Sequence, residues 1–199
     1  MLKVALIIGH NAKFQGAKSY NGTYEWSWNV DLLRYLLPKF KSGVCDIKPM
    51  WRSSLLAYTD GTDELIDLSI RPFEPDLVIE LHLNAFDGVT EIPRAECIIG
   101  DQKNAETFAD IWRENMRKTF STDPKKIKSK DHSRGRYGIK NISLTGVPVL
   151  ILEPCFADTR NALSEKVIED PASYAEVLEK SIRRFMWLKV SGAVGRDNL

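Results

Sequence analysis

The chain has few cysteines and no long hydrophobic run, and each shortage excludes a class of protein. Its three cysteines, Cys45, Cys97 and Cys155, are spread over 199 residues without a CxxC pair. An odd number of widely spaced cysteines argues against both a disulfide framework and a cysteine zinc cluster. No stretch approaches the roughly 20 consecutive apolar residues of a membrane span. Stable membrane association is therefore not expected.

The chain also has little net charge, and its first residues do not show the pattern of a signal peptide. The formal net charge is only +1, which argues against nucleic acid as a partner. The first residues, MLKVALIIGHNA, have one lysine and an apolar run too short for a secretory core, with no small-residue cleavage signature. We therefore expect cytoplasmic synthesis without a signal peptide. The length suits one hydrophobic core, and a monomer is favoured.

The order of apolar segments predicts an α/β fold with a single domain over residues 1–189 and a tail over 190–199. Strands are predicted at 4–8, 46–51, 77–81, 95–99 and 147–152. Helices are predicted from a cap at Asn21 or Thr23 to about residue 41, and at about 60–70, 101–120 and 172–188. This alternation predicts a twisted, mostly parallel sheet with helices on both faces. Residues 121–140 are predicted to be irregular and basic, and the segment between 153 and 172 to be a loop.

Three predicted strands lead into a residue that can bind or activate a metal. His10 follows the first strand, His82 the third and Glu153 the last. Ligands of α/β sheets bind beyond the carboxyl ends of the strands, so we expect these side chains at one edge. Glu25 falls in the first turn of the next predicted helix. Two histidines, one ligating glutamate and one spare glutamate make up a hydrolytic zinc site.

Each of these residues also has an ordinary structural interpretation. A lone histidine at a strand end is more often a hydrogen-bonded core or rim residue, and an acid such as Glu25 in a first helical turn suits the helix dipole. Glu153 is harder to explain in this way, because a carboxylate directly after a buried strand is costly without a partner. Taken together, in a chain with only three histidines, the set favours metal binding.

The order and spacing of these motifs resemble the zinc-dependent N-acetylmuramoyl-L-alanine amidases of bacterial and phage cell-wall lysis, over about residues 3–188. The shared elements are the Gly-His pair at Gly9-His10, the glutamate on the next helix, the His-x-Asn-Ala motif at 82–85, an Arg-Gly loop within 134–138 and the strand VPVLILE with Phe156 beyond it. The resemblance implies an α/β zinc amidase that cleaves the bond between N-acetylmuramic acid and L-alanine of peptidoglycan.

The resemblance also implies the roles of individual residues. His10, Glu25 and His82 would hold one Zn²⁺, and Glu153 would be the catalytic base. Substrate contacts are expected from Asn84, and from Arg134 and Arg136 in the basic loop. That loop, which also contains His132, is either a solvated surface or a groove wall for the anionic wall polymer.

Glu80 is the clearest departure from the family pattern, which tends to have serine two residues before the second histidine. Strand alternation places Glu80 on the same face as His82. It is therefore either a carboxylate that contacts a metal ligand from outside the metal shell, or a replacement for Glu25 as the ligand.

Two other kinds of protein stay open at this point. One is a zinc carboxypeptidase or peptidoglycan endopeptidase on the same scaffold, and the other is a non-catalytic phage structural or wall-binding protein. A wall hydrolase without a signal peptide resembles a phage endolysin, which reaches peptidoglycan after a phage holin opens the inner membrane.

Overall fold

A mixed β-sheet forms the centre of the protein in the computed structural model, which describes residues 1–40, 43, 45–85, 94–129 and 136–193. Its strands are β1 (Leu2–Ile8), β2 (Cys45–Trp51), β3 (Leu77–Leu81), β4 (Glu96–Ile99), β5 (Lys125–Lys128) and β6 (Val149–Glu153). They lie in the order β2-β1-β3-β6-β4-β5. The pair β4 and β6 is antiparallel, and the other neighbouring pairs are parallel.

Helices cover both faces of this sheet. They are α1 (Glu25–Leu36), α2 (Tyr58–Leu65), α3 (Arg71–Phe73), α4 (Lys103–Phe120), α5 (Arg136–Ser143), α6 (Ala162–Glu169) and α7 (Pro171–Val190). A 3-10 turn, Leu37–Phe40, extends α1, and a π-helical turn, Ile66–Ile70, joins α2 to α3. Among the helices that the structure describes, none is both long and apolar enough to cross a membrane.

The alternation of side chains along β1 shows how the two faces are filled. Val4, Leu6 and Ile8 pack in the core formed with α1, α4, α6 and α7. Ala5 and Ile7 point the other way, into the core formed with α2 and α5. Both faces are buried, which is why β1 reads as a continuous apolar run. The predicted fold class, a mostly parallel sheet with helices on both faces, is confirmed.

Several local predictions differ from the structure. β5 and the start of α5 occupy the segment predicted to be irregular; β5 lies at the sheet edge and has the sequence Lys-Lys-Ile-Lys, which lacks an apolar run. Helix α6 lies in the predicted loop, although Asn161 signals it by accepting hydrogen bonds from the N–H groups of Leu163 and Ser164. The cap of α1 is Tyr24, which makes no side-chain cap bond, rather than Asn21 or Thr23. The domain boundary at residue 189 stays a prediction.

Candidate active site

Backbone pairing brings the three strand ends to one edge. The N–H of Gly9 donates to the carbonyl of Leu81 over 2.9 Å, and the N–H of His82 donates to the carbonyl of Leu152, also over 2.9 Å. β1, β3 and β6 therefore end side by side. His10, His82 and Glu153 leave the sheet at this edge, and Glu25 comes from the first turn of α1.

The loop after β1 is shaped to hold His10 against Glu25. His10 itself has a φ of 63°, a left-handed conformation that is unfavourable for a residue with a side chain. Gly16 has a φ of 76°, and a Cβ atom built there would overlap Oε2 of Glu25 and the ring of His10. The loop therefore passes so close to both side chains that only glycine fits.

Glu25 lies between the two histidines. Its Oε2 is 3.2 Å from Nε2 of His10, and its Oε1 is 2.8 Å from Nδ1 of His82. The backbone N–H groups of Ala17 and Leu83 donate to the same two oxygens, each over 2.9 Å. One ligand atom from each of the three side chains lies within 4.8 Å of the others. Two imidazoles and one carboxylate fit the donor preference of zinc.

The pKa values of the buried pair reflect this contact. Burial alone would raise the pKa of Glu25, but His82 and His10 lower it to about 2. Burial alone would lower the pKa of His82, but Glu25 and Glu80 raise it to about 10. Glu25 therefore stays ionised and can act as an anionic ligand, whereas a metal ion that binds His82 has to displace a proton from its ring.

Glu80 contacts His82 on the side of the ring away from Glu25. Its Oε1 is 2.9 Å from Nε2 of His82 and 2.8 Å from Nη2 of Arg52. Burial alone would raise the pKa of Glu80, but Arg52 and His82 lower it to about 2. Arg52 was not predicted from the sequence. The only signal was that a carboxylate in a buried strand needs a cationic partner somewhere.

A cavity of about 310 Å³ opens over the cluster. Its polar lining comes from His10, Glu25, Tyr58, His82, Asn84 and Glu153. The side-chain nitrogen of Asn84 donates to Oε2 of Glu96 over 3.0 Å, which fixes the amide at the cavity wall. Tyr58 is a further lining residue that sequence reasoning missed, because nothing in the sequence places α2 over the strand ends.

The two arginines expected to contact substrate fall at the edge of the described residues. Arg134 lies outside them, as does His132 of the same loop. Arg136 begins α5, which packs on the same side of the sheet as α2, but only its backbone is among the described parts of the chain.

Comparison with known proteins gives a consistent answer. A profile of the N-acetylmuramoyl-L-alanine amidase family matches residues 4–184. A search of curated protein sequences finds no match. The fold is similar to the catalytic domain of CwlV, an N-acetylmuramoyl-L-alanine amidase from Bacillus (Paenibacillus) polymyxa var. colistinus, with 16% identity, a TM-score of 0.73 and coverage of 94% of this chain and 98% of that chain. An N-acetylmuramoyl-L-alanine amidase from Clostridium difficile 630 gives the same four values.

A third similar structure is the catalytic domain of the CD27L endolysin targeting Clostridia difficile, with 18% identity, a TM-score of 0.69 and coverage of 92% of this chain and 98% of that chain. At these identities the structures support the fold alone, whereas the family profile spans most of the chain, from β1 into α7. The chain belongs to the N-acetylmuramoyl-L-alanine amidase family, whose reaction is hydrolysis of the amide bond between N-acetylmuramic acid and L-alanine in peptidoglycan.

Proposed function

We propose that this amidase depends on zinc, with His10, Glu25 and His82 as the ligands of one Zn²⁺ and Glu153 as the catalytic base. The observation that carries the proposal is the convergence of two imidazoles and a buried carboxylate within 4.8 Å. Three protein ligands leave a further position for water or substrate, as catalytic zinc sites require. When bound, zinc supplies Lewis acidity that polarises the scissile carbonyl and lowers the pKa of water to roughly 7.

The surroundings of Glu25 support its role as a ligand. It is only 1% exposed, and two backbone N–H groups hold its two oxygens in place. A carboxylate held in this way does not have to be ordered again when a cation binds. In contrast, Glu80 contacts the other ring nitrogen of His82, and its Oε1 is also paired with Arg52. We therefore assign Glu25, and not Glu80, to the metal.

Glu153 is suited to move the proton. It lies at the carboxyl end of β6 and lines the same cavity as the proposed ligands. In the proposed reaction, Glu153 takes a proton from the water that adds to the scissile carbonyl carbon. It returns this proton to the alanine nitrogen as the carbon–nitrogen bond breaks, which releases a lactyl carboxylate and a free amine. General acid–base catalysis of this kind contributes about 10²- to 10⁴-fold in rate.

Cys155 does not supply an alternative nucleophile. It follows Glu153 closely in sequence, but its side chain is fully buried, and burial raises the pKa of its thiol. A buried thiol with a raised pKa is a poor nucleophile at neutral pH. Direct attack by water is the simpler route.

We further propose that Asn84, Arg134 and Arg136 contact the stem peptide or the anionic wall polymer. Asn84 is at the cavity wall, and the two arginines belong to the basic segment before and within α5. Variants with alanine at these positions should lose substrate affinity and keep zinc. Loss of zinc in any of them would contradict this assignment.

The proposed delivery is that of an endolysin, with access to peptidoglycan from the cytoplasm through a phage holin. One protein of similar fold is itself the catalytic domain of an endolysin. Expression alone should leave a bacterium with a susceptible wall intact, and permeabilising the inner membrane should cause lysis that a chelator prevents. Spontaneous lysis without permeabilisation would indicate another export route.

The zinc site is tested by metal analysis of single variants. His10→Ala and His82→Ala should each lose stoichiometric zinc, because too few ligands remain. His132→Ala, at the third histidine of the sequence, is the matched control and should keep it. The product of a wall digest, identified by mass spectrometry, should be a peptide with free N-terminal alanine. If His10→Ala keeps zinc and His132→Ala loses it, the proposed zinc site is wrong.

A further inference from the structure

A buried ion pair stands behind the proposed ligand His82. Nη2 of Arg52 is 2.8 Å from Oε1 of Glu80, and the two side chains are 1% and 0% exposed. The same carboxylate oxygen lies 2.9 Å from Nε2 of His82. A guanidinium, a carboxylate and an imidazole are therefore linked in series, and this series of contacts reaches the cavity from the side of the sheet that packs against α2.

Helix α2 holds the guanidinium of Arg52, the first group in this series of contacts. Nε of Arg52 donates to the hydroxyl of Thr62 over 2.8 Å, and this hydroxyl donates to the carbonyl of Tyr58 over 2.7 Å. The guanidinium carbon also lies 4.4 Å from the centre of the Tyr58 ring. Thr62 is fully buried, so Arg52 has little freedom to turn. The position of Glu80 is therefore set by α2 as well as by its own strand.

His82 presents a different ring nitrogen to each of its two carboxylate neighbours. Nε2 is directed to Glu80, and Nδ1 is 2.8 Å from Oε1 of Glu25. A histidine that ligates a metal commonly donates its other N–H to a carboxylate, which fixes the tautomer and the ring orientation. A buried carboxylate that has lost its cation is strongly destabilised and moves toward any other partner or toward solvent. Glu80 needs Arg52 to stay in place.

We propose that Arg52 is a positioning residue for the metal centre: it holds Glu80, and Glu80 holds His82 with Nδ1 toward Glu25. Arg52 does not line the cavity, so it acts through Glu80 rather than on substrate. The inference rests on the proposed function, because the orientation of His82 affects zinc only if His82 is a ligand.

The test measures the zinc dissociation constant by competition with a chelator. Arg52→Met should raise this constant about 10- to 100-fold, and Glu80→Leu should have a similar effect. In the double variant the two effects should not add, because the residues act in series. Arg71→Met is the matched control: Arg71 forms an exposed ion pair with Asp67, and its loss should leave the constant unchanged.

A second measurement separates positioning from a general loss of stability. The visible absorption spectrum of the Co²⁺-substituted protein reports the ligand geometry. It should change in Arg52→Met and in Glu80→Leu but not in Arg71→Met. If Arg52→Met does not fold, the double variant is compared with Glu80→Leu, because replacing a buried ion pair with apolar residues of similar volume is often neutral or stabilising. Equal zinc dissociation constants in these two variants are expected if Arg52 acts through Glu80, and a weaker constant in the double variant would contradict the inference.

The possible outcomes distinguish this inference from the proposed function. A folded double variant with the wild-type dissociation constant and the wild-type cobalt spectrum would overturn the inference. Effects of Arg52→Met and Glu80→Leu that simply add would do so too, because Arg52 would then act independently of Glu80. If His82→Ala binds zinc as tightly as the wild type, the proposed zinc site itself is wrong, and the inference fails with it.

Discussion

Gly16 is the position where the addition of one methyl group tests the whole candidate site. Its φ is 76°, and a Cβ atom there would overlap Oε2 of Glu25 and lie 2.7 Å from Nε2 of His10. Glu25 cannot easily withdraw, because it is buried and its oxygens accept backbone hydrogen bonds. In Gly16→Ala, His10 and the loop must therefore move away from Glu25.

Two separate costs follow from this substitution. A left-handed backbone costs alanine about 1–2 kcal/mol relative to glycine. Displacement of a proposed ligand should weaken zinc binding by at least the roughly 10- to 100-fold seen when a supporting contact of a metal site is lost. Each tenfold change corresponds to about 1.4 kcal/mol of binding free energy.

Gly22 provides the matched control in the same loop. Its φ is 92°, and a Cβ atom there meets nothing within 4 Å. Gly22→Ala should therefore carry the backbone cost without the steric one. Denaturant unfolding of the metal-free proteins should show a loss of about 1–2 kcal/mol in Gly22→Ala and at least as much in Gly16→Ala.

Zinc competition and a wall-hydrolysis assay then separate the two variants. Gly16→Ala should lose zinc affinity and activity, whereas Gly22→Ala should keep both. Equal zinc affinities in the two variants, whether both keep zinc or both lose it, would refute the reasoning, because the contact of Gly16 with His10 and Glu25 would then have no bearing on the site.

Three further predictions concern catalysis and stability. Glu153→Gln should abolish hydrolysis and keep stoichiometric zinc, since the amide cannot accept a proton at neutral pH; parallel loss of zinc would make Glu153 a ligand. Burial opposes ionisation of Asp76, but Lys189 and the N–H of Lys3 lower its pKa below 3.8. Asp76 therefore stabilises the fold above that pH and loses this contribution as the pH falls, so Asp76→Asn should flatten the acid side of the stability curve measured by thermal unfolding. Asn161→Ala removes the cap of α6 and should cost about 0.5–2 kcal/mol in denaturant unfolding.

The apolar runs were sufficient to predict the part of the fold that places the site. β1, β3 and β6 are buried on both faces, so their sequences are almost purely apolar and their ends are easy to find. The residues beyond those ends, His10 and His82, were predicted to meet at one edge, and the structure places them there with Glu25 between them. Their roles as ligands stay a prediction until metal is measured.

Sequence by itself gave no account of features that depend on contacts between distant segments. β4 pairs antiparallel with β6, which is far along the chain, so no local sequence pattern shows the direction of this pair. The choice of Arg52 as the partner of Glu80, and the approach of Tyr58 to the cavity, depend on how α2 packs across the sheet. A buried carboxylate requires a cation, but only the packing of the folded chain selects which of the 28 Lys and Arg residues lies within reach.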